Sequence, residues 1–405
     1  MKILLLCNKP PYPAVEGGPM AMNSIITGLL EAGHQVKILA VNSKKYNVTL
    51  EEIPEDYRKK TDIELIDVDL RVKPFQAFKN LFSKKSYHVE RFISKDFTDR
   101  LIAVLKKDIY DVVQLETLFM TPYVETIRKY TKASIVLRAH NVEHLIWERI
   151  AKGTRFFLKR AYIKHLAKTL KNYELNAINQ VDGIAAITRK DAAFFRKYCA
   201  TTTIDIPYGV YPEEFHPNYK IEGKPTFYHI GSMNWIPNEE GIRWFIDNCL
   251  EAVVEKVPDF VFHLAGRNMP QWVKELNNPH VDVVGEVPDA KLFVTGNNVA
   301  IVPLLSGSGI RIKIIESMAL GKTVITTMVG AEGILYEEDV NIIIAENKAK
   351  MAEAIRRINE NPAMAEEIGK AARKLVEDIY DNRKITERLL MFYNQIKPSS
   401  KITFV

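Results

Sequence analysis

The stretch Ile301-Val-Pro-Leu-Leu-Ser-Gly-Ser-Gly-Ile-Arg311-Ile-Lys313-Ile-Ile-Glu316-Ser-Met-Ala-Leu-Gly321-Lys-Thr-Val-Ile-Thr326 decides how this chain reads. An apolar strand runs into a small-residue loop, Ser306-Gly307-Ser308-Gly309, which opens a helix expected from about Ile310 to Leu320. Gly321 suits the left-handed position that closes a helix, and a further strand, Thr323–Thr326, follows. A loop of this kind leaves backbone N–H groups open at a helix N-terminus, where the macrodipole favours negative charge. Arg311 and Lys313 place two cations in the first turn, where they oppose that dipole, so an anionic ligand explains them better than helix stability does. A diphosphate uses both the donors and the cations. Glu316, three residues beyond Lys313 on the same helical face, suits the hydroxyls of a ribose. The plainer alternative is a surface helix with a Lys–Glu pair behind a glycine-rich turn.

Outward from this element, short β-branched runs alternate with helical segments, the pattern of parallel α/β units. Strands are expected at Lys2–Cys7, Gln35–Val41, Asp111–Leu115, Ser134–Arg138 and Gly183–Ile187, and again at Pro225–Ile230, Phe260–Leu264, Val281–Val284, Val299–Val302, Thr323–Thr326 and Asn341–Ile344. Between the two sets, Pro207 to Pro225 holds four prolines and two glycines and no clear period, the composition of a linker. After Ala345 the pattern is wholly helical. The organisation read from this is an N-terminal domain over 1–206, a linker over 207–224, a C-terminal domain over 225–380, and a last helix over 381–405 packing back towards the first domain. Two α/β domains of this type place ligands outside the carboxyl ends of their strands, in a cleft.

Composition narrows the function classes. With 405 residues, 47% of them hydrophobic and 26% charged, the chain has the make-up of an ordinary globular protein. No apolar run approaches the roughly 18 residues that cross a bilayer. Cys7, Cys199 and Cys249 are far apart and show no metal spacing, which fits a reducing cytoplasm. The net charge of +6 is too small to argue for nucleic acid, but it suits anionic substrates or an anionic membrane surface.

Several spaced motifs resemble the family-four glycosyltransferases of GT-B architecture. Glu316-Ser-Met-Ala-Leu-Gly-Lys-Thr-Val-Ile stands where that family has Glu-Ala-Met-Ala-x-Gly-x-Pro-Val. Pro11–Gly18 with Gly33-His34-Gln35-Val36 resembles its N-terminal glycine loop and strand entry, and Ile206–Pro217 its interdomain segment. Gly231-Ser-Met-Asn-Trp235 with Pro237-Asn238 is similar to a subset associated with bacterial polysaccharide assembly. The resemblance implies two Rossmann-like domains whose parallel sheets face each other across a cleft. It also implies transfer of a sugar, with retention of configuration, from a nucleotide-diphosphate donor to a glycan or lipid-linked acceptor, with no metal and no cofactor. Carried over by position, Glu316 binds the ribose, while Ser308, Gly309 and Ile310 approach phosphates and sugar. Gly17 and Gly18 meet the diphosphate, Gly231 and Ser232 line the site, and Val287 reaches the base. Arg311 and Lys313 stabilise the leaving group. Two departures stand out. The family's first glutamate is replaced by Ser308, and Gly231–Asn238 lacks the usual Arg and Lys, leaving that charge to Arg311 and Lys313.

His140, just past the strand Ser134–Arg138, matches a histidine that the family places beside the transferred sugar; Asn141 is expected to cap the following helix. His140, Glu143 and His144 imitate a zinc spacing, yet nothing nominates a third ligand. Two basic stretches, 71–85 and 155–171, interleave aromatic residues with lysines. Each either meets an anionic bilayer at the inner face of the plasma membrane or is an ordinary helix with solvated lysines. Two rivals stay open: a nucleotide-sugar epimerase of the same shape, and a non-catalytic nucleotide-sugar-binding protein suggested by Ser308.

Overall fold

The structure, a computed structural model, describes residues 1–307 and 309–398, with the side chains of Ala77 and Phe78 left out. The chain divides into two compact units, Met1–Gly209 with Ile385–Val405, and Val210–Lys384.

The first unit is built on seven strands: β1 (Lys2–Cys7), β2 (Gln35–Asn42), β3 (Glu64–Asp67), β4 (Val112–Glu116), β5 (Ser134–Ala139), β6 (Gly183–Ala186) and β7 (Thr202–Asp205). All pair in parallel, in the order β3-β2-β1-β4-β5-β6-β7. A parallel sheet is covered on both faces, so its central strands are apolar throughout. In β1, Leu4 and Leu6 enter one core while Ile3, Leu5 and Cys7 enter the other. That second core also takes Ile385, Leu389, Phe392 and Tyr393 of the C-terminal helix Asn382–Gln395. The unexpected strands, β3 and β7, are the two edges. Their sequences, ELID and TTID, carry no continuous apolar run because an edge strand need not be buried on every side.

The second unit carries six parallel strands: β8 (Phe227–Ile230), β9 (Phe262–Ala265), β10 (Val281–Gly285), β11 (Val299–Val302), β12 (Thr323–Thr326) and β13 (Ile343–Ile344). Their order is β10-β9-β8-β11-β12-β13. Most of the stretch read as a linker belongs to this unit. Phe215 is buried, and the Arg373 guanidinium donates to the carbonyls of Pro212 and Phe215 at 2.9 and 2.7 Å. A buried arginine supplies the hydrogen bonds that an aperiodic, proline-rich segment cannot make with itself.

In each unit the chain leaves a central strand pair in opposite directions, between β1 and β4 and between β8 and β11. Such switch points open a crevice at the carboxyl ends of the strands.

Candidate functional site

In the second unit the switch point is occupied by a lysine. His229, the third residue of β8, is buried, and its Nδ1 lies 2.8 Å from the carbonyl of Ile301 on β11. A carbonyl only accepts, so Nδ1 carries the proton and Nε2 presents its lone pair to Lys313 Nζ at 3.4 Å. The ammonium also donates to Asn238 Oδ1 at 2.7 Å, and Asn238 Nδ2 donates to the Ser232 carbonyl at 2.8 Å. Gly231 lies directly beneath: a Cβ there would sit 2.4 Å from Lys313 Nζ. Glycine is thus what lets the ammonium rest on the loop. Burial, with the Arg311 charge adding to it, lowers Lys313 to about 7. Burial and the Lys313 charge keep His229 well below its ordinary value, so the imidazole stays neutral. Among the described residues no carboxylate pairs with Lys313.

Arg311 is used differently. The helix is Ile312–Ala319, starting two residues later than expected, because Gly307 and Gly309 sit at φ 113 and 76 and keep the chain out of helical geometry up to Arg311. The buried guanidinium donates to the carbonyls of Gly309 at 3.1 Å and Val329 at 3.4 Å, and lies 5.5 Å from the Trp235 ring. It braces the loop, while its charge reaches Lys313. The Arg311 carbonyl accepts from Ile314 and Ile315, leaving the amides of Ile312 and Lys313 at the open end of the helix. Glu316 is partly exposed one turn further on, and Gly309 and Ile310 are half-buried. Ser308 lies outside the described residues. Ser232 accepts from Asn268, and its loop touches the next: a Cβ on Gly266 would meet the Gly231 carbonyl at 1.8 Å. Val287 is half-buried on the loop after β10, two strands from β8 and so roughly 10 Å away.

The first unit places a second polar cluster at its own switch point. Glu116 ends β4, Arg138 lies in β5, and His140 follows β5; all three are buried. His140 Nε2 is 2.7 Å from Glu116 Oε2, with Arg138 Nη1 3.2 Å from the ring and 3.4 Å from the carboxylate. A carboxylate partner puts the ring proton on Nε2 and leaves Nδ1 as the lone-pair nitrogen. Gln114 donates to Glu116 Oε1 at 2.6 Å, and Tyr393 of the C-terminal helix donates to Gln114. Burial pushes the Glu116 carboxyl up, but Arg138, His140 and Gln114 outweigh it and hold the group below its ordinary value. Burial lowers His140 against the opposing pull of Glu116. Thr117, next in the chain, stands at φ 78, a strained position for a β-branched residue. Gly17 and Gly18 open the helix Gly17–Glu31, and Gly18 lies under Lys9, whose Nζ would be 2.9 Å from a Cβ there.

The helix after His140, Glu143–Gly153, is capped otherwise than expected. Glu174, not Asn141, accepts from the amides of Glu143 and His144, at 2.9 and 3.1 Å, and bonds His144 Nδ1 at 2.5 Å. His140 and His144 thus face different carboxylates and converge on no common point. Beside this cap, burial and the Glu174 charge raise Glu143 to about 8.

Reading the sequence missed Glu116, Arg138 and His229, and it quoted Asn238 only as part of a motif. For the first three the available signal was a charged or polar residue inside an otherwise apolar strand: VVQLE, SIVLRA and FYHI each hold one or more.

Residues 224–361 match the family described as glycosyl transferases group 1. A Klebsiella pneumoniae protein described as an uncharacterized 44.6 kDa protein in the cps region is 20% identical over 400 residues, covering 95% of this chain and 97% of its own. The sucrose-phosphate synthase of Thermosynechococcus elongatus superposes with a TM-score of 0.69 at 16% identity, over 98% of this chain and 99% of that one. Anabaena HepE, solved in complex with UDP, gives 0.65 at 13% identity, over 98% and 100%. At such identities the likeness is one of fold. The chain has the GT-B architecture with two Rossmann-like units, and the group 1 match within the second unit supports sugar transfer.

Proposed function

We propose that the protein transfers a sugar, with retention of configuration and without a metal ion, from a nucleoside-diphosphate donor to a hydroxyl of a glycan or lipid-linked acceptor. The observation that carries this reading is Lys313, an uncompensated ammonium seated on Gly231 between His229 and Asn238, at the switch point of the unit that matches group 1 glycosyltransferases. A pyrophosphate there meets one mobile proton, the open amides of Ile312 and Lys313, and a loop held by Arg311. Glu316, one turn along, is assigned the ribose; Ser232, Ser308, Gly309 and Ile310 the phosphates and sugar; Val287 the base. Gly17 and Gly18 are assigned to phosphate, and His140, through Nδ1, to a sugar hydroxyl. HepE, solved with UDP, supports a uridine nucleotide as the first donor to try.

In the proposed step the acceptor oxygen bonds the anomeric carbon as the bond from that carbon to the phosphate oxygen breaks, on the same face of the sugar. The hydroxyl proton passes to the departing phosphate. Lys313 and the helix terminus stabilise the charge that develops, which in other enzymes falls to a divalent ion. The protein is assigned to the cytoplasm, peripheral to the inner face of the plasma membrane.

Lys313→Ala tests the reading. Donor affinity and turnover are expected to fall by roughly ten- to a thousandfold. In the parent, calorimetry near pH 8 should show proton uptake on nucleotide binding, because the anion restores the charge of a lysine lowered to about 7. Unchanged affinity in the variant, or activity abolished by a chelator and restored by magnesium, overturns it. Donor binding with no transfer across an acceptor panel favours the non-catalytic reading instead.

A further inference from the structure

The first unit carries a charge asymmetry that its proposed site does not use. Residues 71–85 hold five cations and no carboxylate, and residues 150–173 hold seven and none. Twelve cations in two segments, set against +6 for the whole chain, leave a net −6 for everything else.

The fold brings these segments together. The helix Phe157–Ala177 runs beside the 71–91 region: His165 Nε2 lies 3.1 Å from the Asn80 carbonyl, Arg91 donates to the Leu70 carbonyl at 2.8 Å, and the Tyr87 hydroxyl accepts from the Lys73 amide at 2.9 Å. Exposed positions of the long helix include a stripe, Phe157, Ala161, Lys164 and Lys168, at spacings of four, three and four residues, with Leu158 and Lys159 exposed beside its start. Its inner face, with Ile163, Leu166 and Leu170, is buried, so the lysines are not the price of an unpacked helix. Some cations are neutralised locally: Asp69 pairs with Arg71 and Lys73, and Glu90 with Lys85. Lys159, Lys164 and Lys168 have no ion pair among the described residues.

Apolar groups stand out from the same region. Phe82 is 83% exposed and Phe157 68%, with Phe75, Phe156 and Leu158 also well exposed. Lys79 lies over the Phe75 ring at 4.5 Å, a surface contact that keeps the ammonium and the aromatic side by side. Aromatics set among unpaired lysines match a bilayer boundary, which offers hydrocarbon and anionic headgroups at one depth. A purely polyanionic partner would give Leu158 and Phe82 nothing to bury.

We propose that the face formed by residues 71–85 and 150–168 docks the first unit peripherally on an anionic lipid bilayer. The lysines supply long-range attraction, within the roughly 8 Å Debye length of physiological salt, and the aromatics supply the salt-resistant part. The inference rests on the peripheral placement proposed above and deepens it by naming the face and the lipid class; vesicle binding tests it separately from transfer, since neither donor nor acceptor enters the measurement.

Cosedimentation of the full chain with phosphatidylcholine vesicles, with and without about 30 mol % phosphatidylglycerol, tests it at low and physiological salt. At least about tenfold stronger binding to the anionic vesicles is expected, weakening with salt. Lys159→Glu with Lys164→Glu should abolish binding at low salt. Phe82→Ser with Phe157→Ser should abolish what survives at physiological salt. All four positions are exposed or near the surface, and an unchanged melting temperature confirms that the variants fold. Equal binding to neutral vesicles, or charge-reversed protein that binds as the parent does, overturns the proposal. So does binding to soluble heparin as tight as to vesicles and indifferent to the phenylalanine changes, which would mark a polyanion site.

Discussion

Glu143 shows how far a single side chain can be moved by its surroundings. It sits two residues from Asn141 and faces Glu174, with Asp191 adding negative charge and Lys9 opposing it. Burial comes first among the causes, and together they raise the carboxyl to about 8 from an ordinary value near 4.5. Between those limits the unfolded chain has released a proton that the folded chain keeps, so stability falls as pH rises and levels off above about 8. Glu143→Gln removes that slope. The variant should be close to the parent in stability at pH 4.5 and more stable by on the order of 1–4 kcal/mol at pH 8.5, measured by urea denaturation. A stability difference that is the same at both pH values would show that Glu143 ionises normally. Its raised value was invisible in the sequence. The text shows a glutamate at a helix start, where a negative charge is ordinarily welcome. Only the arrival of Glu174, 31 residues later, changes the sign of its environment.

Among the elements, the C-terminal helix does more than close a core. Tyr393 donates to Gln114, Gln114 to Glu116, and Glu116 faces His140, so the helix fixes the histidine ring through three hydrogen bonds. Tyr393→Phe keeps the buried ring and deletes only the first donor. The expected result is a tenfold or smaller loss in turnover, with the acid limb of the pH–rate profile displaced and the donor affinity unchanged. A stability loss with an unmoved pH profile would reduce Tyr393 to packing. Elements differ in how well the sequence announces them. The helix Ile312–Ala319 ends as expected, with Gly321 at φ 72, its amide on the Met318 carbonyl at 2.9 Å and the Lys322 amide on Ser317 at 2.9 Å. Its start was misjudged, because the two left-handed glycines hold Arg311 outside the helix, and a side chain bracing a loop leaves no local mark. The edge strands β3 and β7 were missed for a related reason: half-exposed strands have little apolar pattern to read.

On the scale of the whole molecule, the donor reading makes a thermodynamic demand. A nucleotide that binds only the folded chain, at about a hundred times its dissociation constant, adds ~2.7 kcal/mol to the unfolding free energy. A thermal-shift screen of nucleoside diphosphates should therefore single out one base, and Lys313→Ala should erase the shift. A panel in which no nucleotide moves the midpoint would remove the donor proposal while leaving the fold untouched. Two α/β units, the positions of most strands along the chain and a glycine-rich loop before a helix could all be read from the sequence. These depend on apolar periodicity and on glycine's backbone freedom, which act between near neighbours in the chain. The tertiary structure alone decided which charges meet. Lys313 finds Asn238 across 75 residues and His229 across 84, and Tyr393 finds Gln114 across 279. Such pairings follow from strand order and close approach in space, and burial then sets how strongly each charge is felt.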